Sequence, residues 1–165
     1  MDIPFEDIAR IALIGAGATA AMDLWLALLG RLGVPTLDFA MIGRWVGHWR
    51  HGVFMHQAIR QAAPVEGELA LGWLTHYATG IAFAAVLVAV SGIEWTRSPT
   101  LLPALGVGVA TVVAPWLVMQ PAMGAGIASS KTPAPAVNRA RSLANHAVFG
   151  LGLYLSALLL AWISR

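Results

Sequence analysis

The chain contains no cysteine. Disulfides, thiolate nucleophiles, cysteine-ligated iron–sulfur clusters and cysteine-type zinc sites are therefore excluded, and any metal would have to be held by histidine, methionine or carboxylate. Charge is scarce as well. Asp, Glu, Lys and Arg make up 11% of the 165 residues, against about 25% in soluble domains. The ten Lys and Arg residues are spread along the chain without the dense basic run of a nucleic-acid binder, so nucleic acid is not an expected partner. A Walker-type loop, a G-x-S-x-G elbow and an H-E-x-x-H motif are missing too. The "GAGA" beginning at Gly15 lies in an apolar run, without the strand that a dinucleotide fingerprint needs. The sequence thus leans away from an enzyme.

What is there is apolar surface. Hydrophobic residues account for 58% of the chain and the mean hydropathy is +0.72. A body of this size cannot hide that much apolar area inside itself, because small domains have too much surface for their volume; lipid has to cover the remainder. A spanning helix needs about 20 mostly apolar residues, and runs at 8–32, 69–93, 101–123 and 143–163 meet that requirement. The expected fold class is all-α: an integral membrane four-helix bundle forming a single transmembrane domain over residues 1–165, with long loops at 33–68 and 124–142. The opening "MDIPFEDIAR" is acidic, unlike the basic start of a signal peptide, so the first run is expected to stay as an anchor.

Orientation follows from the basic residues flanking the spans. The two long loops hold Arg31, Arg44, Arg50, Arg60, Lys131, Arg139 and Arg141, whereas the termini and the short turn hold Arg10, Arg97 and Arg165 beside Asp2, Glu6, Asp7 and Glu94. The long loops are therefore expected in the cytoplasm and both termini outside, in a multi-pass protein of the bacterial inner membrane. Trp25, Trp73, Trp95 and Trp162 lie toward span ends, where interfacial aromatics sit.

In the first long loop, Phe39, Ile42, Trp45, Val46 and Trp49 recur at helical spacing after Asp38, a suitable N-cap. The pattern predicts an amphipathic helix between spans one and two, with Arg44 and His48 turned away, lying either in the membrane interface or across the mouth of the bundle. His48, His51 and His56 are weak candidates for a metal site, since Gly52 interrupts the helix that would align them. "GIASSKTPAPAVNRARS" reads as an exposed loop, and Pro121 with Gly124 and Gly126 predicts an irregular exit from span three.

Two stretches, "HYATGIAF" from His76 and "HAVFGLGL" from His146, open spans two and four alike. They are consistent with two repeated helix hairpins. At helical rise Asp23 lies about 12 Å inside its basic anchor, as His76 does inside Glu68. A layer of Asp23, His76, Gln120 and His146 is therefore expected near the cytoplasmic side, with Met22, Thr75, Gly80, Met119 and Gly150 beside it. Such groups cost several kcal/mol in hydrocarbon, about 2.5–3.5 for a charged one, unless they face a partner or water. Three readings share them: a structural hydrogen-bonded seam in a protein that works through partners, a proton or small-solute path, or bis-histidine haem b with the glycines leaving room for the macrocycle. The Gly15 and Gly106 face offers a surface for homo-oligomers.

"ATAAMDLWLALLGRLGVP", "GRWVGHWRHG", "GELALGWLTHYATGIAFA", "PTLLPALGVGVATVVAPWLVMQPAMGAGIASSKTP" and "LANHAVFGLGLYLSALLL" together resemble the bacterial membrane-protein family catalogued as domain of unknown function 2938. The resemblance runs from Ala18 to Leu160. It implies four transmembrane helices and supplies no mechanism.

Overall fold

Glu6 and Asp7 in its first turn and Arg31 in its last complement the dipole of the first helix, α1 (Phe5–Arg31). It stops where Gly33 takes a left-handed φ of 75° and the amide of Val34 turns back to donate to Leu29, a C-terminal reversal that only glycine adopts cheaply. The computed structural model describes residues 4–164, so Asp2 and Arg165 of the charge count lie outside the described residues. The other long helices are α2 (Phe39–His48), α3 (Glu68–Ser91), α4 (Leu101–Ala122) and α5 (Pro135–Ile163). Among the described residues there is no strand.

Helices α1, α3, α4 and α5 are long and apolar enough to cross a membrane. No more than 28% of the most apolar window of any of them is buried within the protein. Leu24, Leu74, Leu102 and Leu159 are exposed, an outer surface suited to hydrocarbon rather than water. The spans follow the expected ones closely except at the last, which begins at Pro135 instead of residue 143. Hydropathy marks where lipid begins; the helix starts earlier because proline fits its first turn and the polar residues that follow tolerate helical geometry.

The chain divides into two compact units. The first comprises Met1–Pro35, Tyr77–Thr111 and Ala144–Arg165, and the second Thr36–His76 and Val112–Leu143.

In the first unit, Ile14 and Ala18 of α1, Ala84 and Leu87 of α3, Ala104 of α4 and Phe149, Leu153 and Ala157 of α5 form one buried cluster. Glycines set how closely these helices pack. A Cβ added at Gly15 would lie 2.6 Å from the Cα of Ile81, and one at Gly150 would lie 2.9 Å from the Cα of Leu105. Only backbones without side chains approach so closely. Gly15 is thus packed against α3 inside its own chain, while Gly106 faces open space. Trp95, expected at the interface, is instead core: it is buried, and its indole N–H donates to the carbonyl of Thr100 at 3.2 Å. Beside it Asp7 accepts from Arg97 at 2.7 Å, and the buried Arg10 donates to the carbonyl of Thr96.

In the second unit, α2 is capped by Asp38, whose carboxylate accepts from the amide of Ala40 at 3.1 Å. Its apolar face points into the unit: Trp45, Ile59 and Ala122 form a small core with Met41, Val46, Met119 and Met123 around it. Arg44, expected to turn away, is buried. Its guanidinium grips Glu68 with two bonds of 2.7 and 2.8 Å and donates to the carbonyl of Ala62 at 3.1 Å. Gly43 makes that approach possible, because a Cβ there would meet the backbone of Glu68 and Gly72 at 2.7 Å. A helix face that buries an arginine looks polar in sequence.

Candidate functional site

Two of the four residues of the expected polar layer belong to the first unit and two to the second. In the first, the Asp23 carboxylate of α1 accepts from the Tyr77 hydroxyl of α3 at 2.9 Å. The backbone crossing of Gly15 with Gly80 and Ile81 holds these two helices together, and Thr19, whose hydroxyl donates to the carbonyl of Gly15, fills the space over Gly80. His146 of α5 shares a 2.8 Å hydrogen bond between its Nδ1 and the hydroxyl of Thr111 on α4, and that hydroxyl also lies against the carbonyl of Gly108. One turn on, Gly150 packs against Gly108. Trp25 closes a third polar contact by donating to the Asn145 amide oxygen at 2.9 Å.

Gly80 and Gly150 are both packed against neighbouring chain. The room that the haem reading assigned to Gly80 and Gly150 is taken up by Thr19 and by the backbone of residues 104–108. Of the second-tier residues, Met22 packs on the core of the first unit and Met119 on that of the second.

In the second unit His76 lies against Phe39, with ring centroids 4.7 Å apart, and Phe39 in turn stacks on Trp73 at 4.1 Å. The Thr75 hydroxyl donates to Leu71 within its own helix at 2.8 Å. Gln120 accepts from the hydroxyl of Ser129 at 3.1 Å, a contact shaped by the end of α4. There Pro115, which has no amide hydrogen to give, opens a π-helical turn through Met119, so that the amide of Gln120 bonds to the carbonyl of Pro115. Gly124 and Gly126 then take φ values of 93° and 74°, the irregular exit expected of them. Ala128 and Ser129 follow with φ of 47° and 61°, a conformation costing roughly 1–2 kcal/mol per non-glycine residue. Polar contacts hold them there: Arg139 donates to the carbonyl of Ala128 at 2.8 Å, and Thr132 donates to that of Ser129 at 2.7 Å.

The three loop histidines do not gather at one point. His48 bonds through Nε2 to the carbonyl of Ala63 at 2.9 Å, while His51 accepts from Arg50 at 3.0 Å. His56 lies edge-on to His48 with ring centroids 5.0 Å apart, and its buried Nε2 has no hydrogen-bond partner. Burial, with the charge of His48 adding to it, pushes the imidazole of His56 below its ordinary pKa. Glu68 acts the other way on Arg44, holding its guanidinium above the usual range mainly through their hydrogen bond. Among the described residues no group of three His, Cys, Asp or Glu side chains is placed to hold a metal ion.

Tyr77, Thr111, Asn145 and the Arg44–Glu68 pair were not legible as partners in the sequence. A signal was nevertheless present. Tyr77 and Asn145 each stand next to a histidine that the sequence did single out, and neighbouring helical residues differ by about 100° in direction. What each of them meets on the adjacent helix depends on how the helix is rotated, and hydropathy does not encode that rotation.

The family described as "Protein of unknown function (DUF2938)" has a sequence model that matches residues 12–160. The chain belongs to that family. No curated protein and no solved structure matches it.

Proposed function

We infer that this family member is a non-enzymatic, multi-pass protein of the bacterial inner membrane, with its long loops in the cytoplasm and its termini outside. The polar residues of its spans form a hydrogen-bonded seam that fixes helix register. The folded loops of the second unit are the part that meets partners. The pairing of Asp23 with Tyr77 at 2.9 Å carries the reading: a carboxylate within a span has a donor from the neighbouring helix, as a group costly in hydrocarbon requires. The Thr111–His146 contact supports it.

The chain also reads as two helix hairpins built alike. In the first, Gly15 of α1 crosses Gly80 of α3, and Thr19 bonds back to Gly15; in the second, Gly108 of α4 crosses Gly150 of α5, and Thr111 bonds back to Gly108. His76 and His146 each stand one turn before the crossing glycine.

The test combines stability with flux. For Asp23→Asn, Tyr77→Phe and the double variant in detergent, each single substitution should lower the unfolding midpoint. The pair should show a coupling of about 0.6–1.7 kcal/mol, the range of hydrogen bonds between helices in a membrane. In proteoliposomes none should change a pH-dependent cation flux. A flux that Asp23→Asn abolishes at unchanged stability would replace the seam with a proton or solute path. A Soret band that shifts on dithionite reduction, and that His76→Ala or His146→Ala removes, would replace it with haem.

A further inference from the structure

The apolar face of α2 is used up inside the second unit, yet the turn that follows it leaves large apolar side chains uncovered. After the short 3₁₀ turn Trp49–His51 the chain reverses at Gly52, with φ of 72°. Trp49 and Val53 are partly exposed, and Phe54 and Met55 are 57% and 65% exposed. This tip is neither frayed nor collapsed. The indole of Trp45 donates to the carbonyl of Phe54 at 2.9 Å, and the amide of Gly52 to that of Trp49 at 2.9 Å. Downstream, the amides of His56 and Ile59 donate to the carbonyls of Ala122 and Met123 at 2.7 and 3.1 Å. The backbone is pinned on the inside while the side chains of residues 53–55 are held outward.

The charge around the tip has one sign. Between Asp38 and Glu66 the sequence holds no carboxylate, whereas it holds Arg44, Arg50 and Arg60. Arg44 is spent on Glu68. Arg50 and His51 are exposed beside the tip, while the exposed side chain of Arg60 lies at the other end of α2, 3.9 Å from the N-cap Asp38. Aromatic and aliphatic side chains beside an exposed arginine match the boundary of an anionic bilayer, where tryptophan and phenylalanine enter the acyl edge and arginine meets phosphate. The segment is also tethered at both ends to membrane-spanning helices, α1 before it and α3 after it, so such a surface is always within reach.

We propose that residues 49–55 form an anchor that inserts Trp49, Val53, Phe54 and Met55 into the headgroup layer of the protein's own membrane, held there by Arg50 on anionic phospholipid. The interfacial role that the sequence suggested for α2 passes to the turn beyond it. The proposal requires that the spans lie in a bilayer and does not depend on what the polar seam does.

The absence of cysteine makes the test direct. Met55→Cys, Phe54→Cys and, as a mid-span control, Leu24→Cys each give a single site for a spin label on the full-length chain. The labelled chains are reconstituted in vesicles of phosphatidylcholine mixed with phosphatidylglycerol, or of phosphatidylcholine alone, and collision with oxygen is compared with collision with a water-soluble nickel chelate. In the anionic vesicles the labels at 54 and 55 should collide with oxygen in preference to nickel, as the label at 24 does. In phosphatidylcholine alone, or after Arg50→Glu, nickel collision at both sites should rise about two-fold or more as the anionic attraction is lost. Full nickel access at 54 and 55 in both lipids would place the tip in water and overturn the anchor. Poor access to both reagents in both lipids would mean that a protein surface covers it, a second copy or another partner, and would overturn it equally. Nickel access at residue 24 would instead refute the membrane placement of α1 itself.

Discussion

Gly150→Ala adds one methyl group at the point where α5 crosses α4. In the structure that carbon would lie 2.9 Å from both the Cα of Leu105 and the carbonyl oxygen of Ala104, and 3.3 Å from the Cα of Gly108. All three are backbone atoms, so no side chain can swing aside. Restoring ordinary carbon contacts of about 3.5–4.0 Å requires the helices to separate by roughly 0.6–1 Å, and a gap of that size forfeits a quarter to a half of each dispersion well along the crossing. Forced overpacking of this kind costs about 1–3 kcal/mol. Separation would also stretch the 2.8 Å contact between Thr111 and His146. Gly106→Ala is the matched control. It lies in the same α4 with nothing within 4 Å of the added carbon, so it should be neutral or gain about 0.5–1 kcal/mol from better helix propensity. Unfolding of the two variants and the parent, followed by tryptophan fluorescence in detergent, should therefore move in opposite directions or differ by at least about 1 kcal/mol. Equal shifts would refute the backbone-to-backbone crossing, because the two substitutions differ only in what surrounds the new methyl.

Other outcomes follow from the second unit. Glu68→Gln or Arg44→Met alone should destabilise it by about 3 kcal/mol by leaving a largely buried charge unpaired, and the double replacement Arg44→Met with Glu68→Leu should recover much of that loss; chemical unfolding of all three compares them. His56 has a folded pKa below its unfolded value, so its neutral form favours folding. That contribution is complete above about pH 6.5 and fades as the pH falls from there toward the folded pKa; His56→Phe should flatten the melting midpoint between pH 7 and pH 5. Ala128→Gly should raise stability by about 1 kcal/mol, because glycine takes a φ of 47° without penalty. A loss of stability in that variant would show that the Ala128 methyl contributes packing worth more than the strain.

Four helices long and apolar enough to cross a membrane, their approximate bounds, the Asp38 cap and the irregular exit after Pro121 were all readable from composition and periodicity. These depend on averages over a turn or more: transfer of apolar groups out of water is additive along a helix, and proline, glycine and capping side chains act on their own backbone. Asp23 and His146 could be picked out for the same reason, since an ionisable or imidazole group in an apolar run is costly wherever it stands.

Only the tertiary structure decided what those groups meet. The Tyr77 hydroxyl donates to Asp23, Thr111 bonds His146, and Arg44 turns inward because Glu68 waits at the start of α3. It decided too that Gly80 and Gly150 pack against neighbouring chain, and that Phe54 and Met55 stay uncovered when α2 does not. Each of these depends on the rotation of a helix about its axis and on which backbone lies within a few ångströms. Hydropathy is blind to both, because contacts between helices are set by shape at single positions, whereas the cost of leaving water is set by the sum.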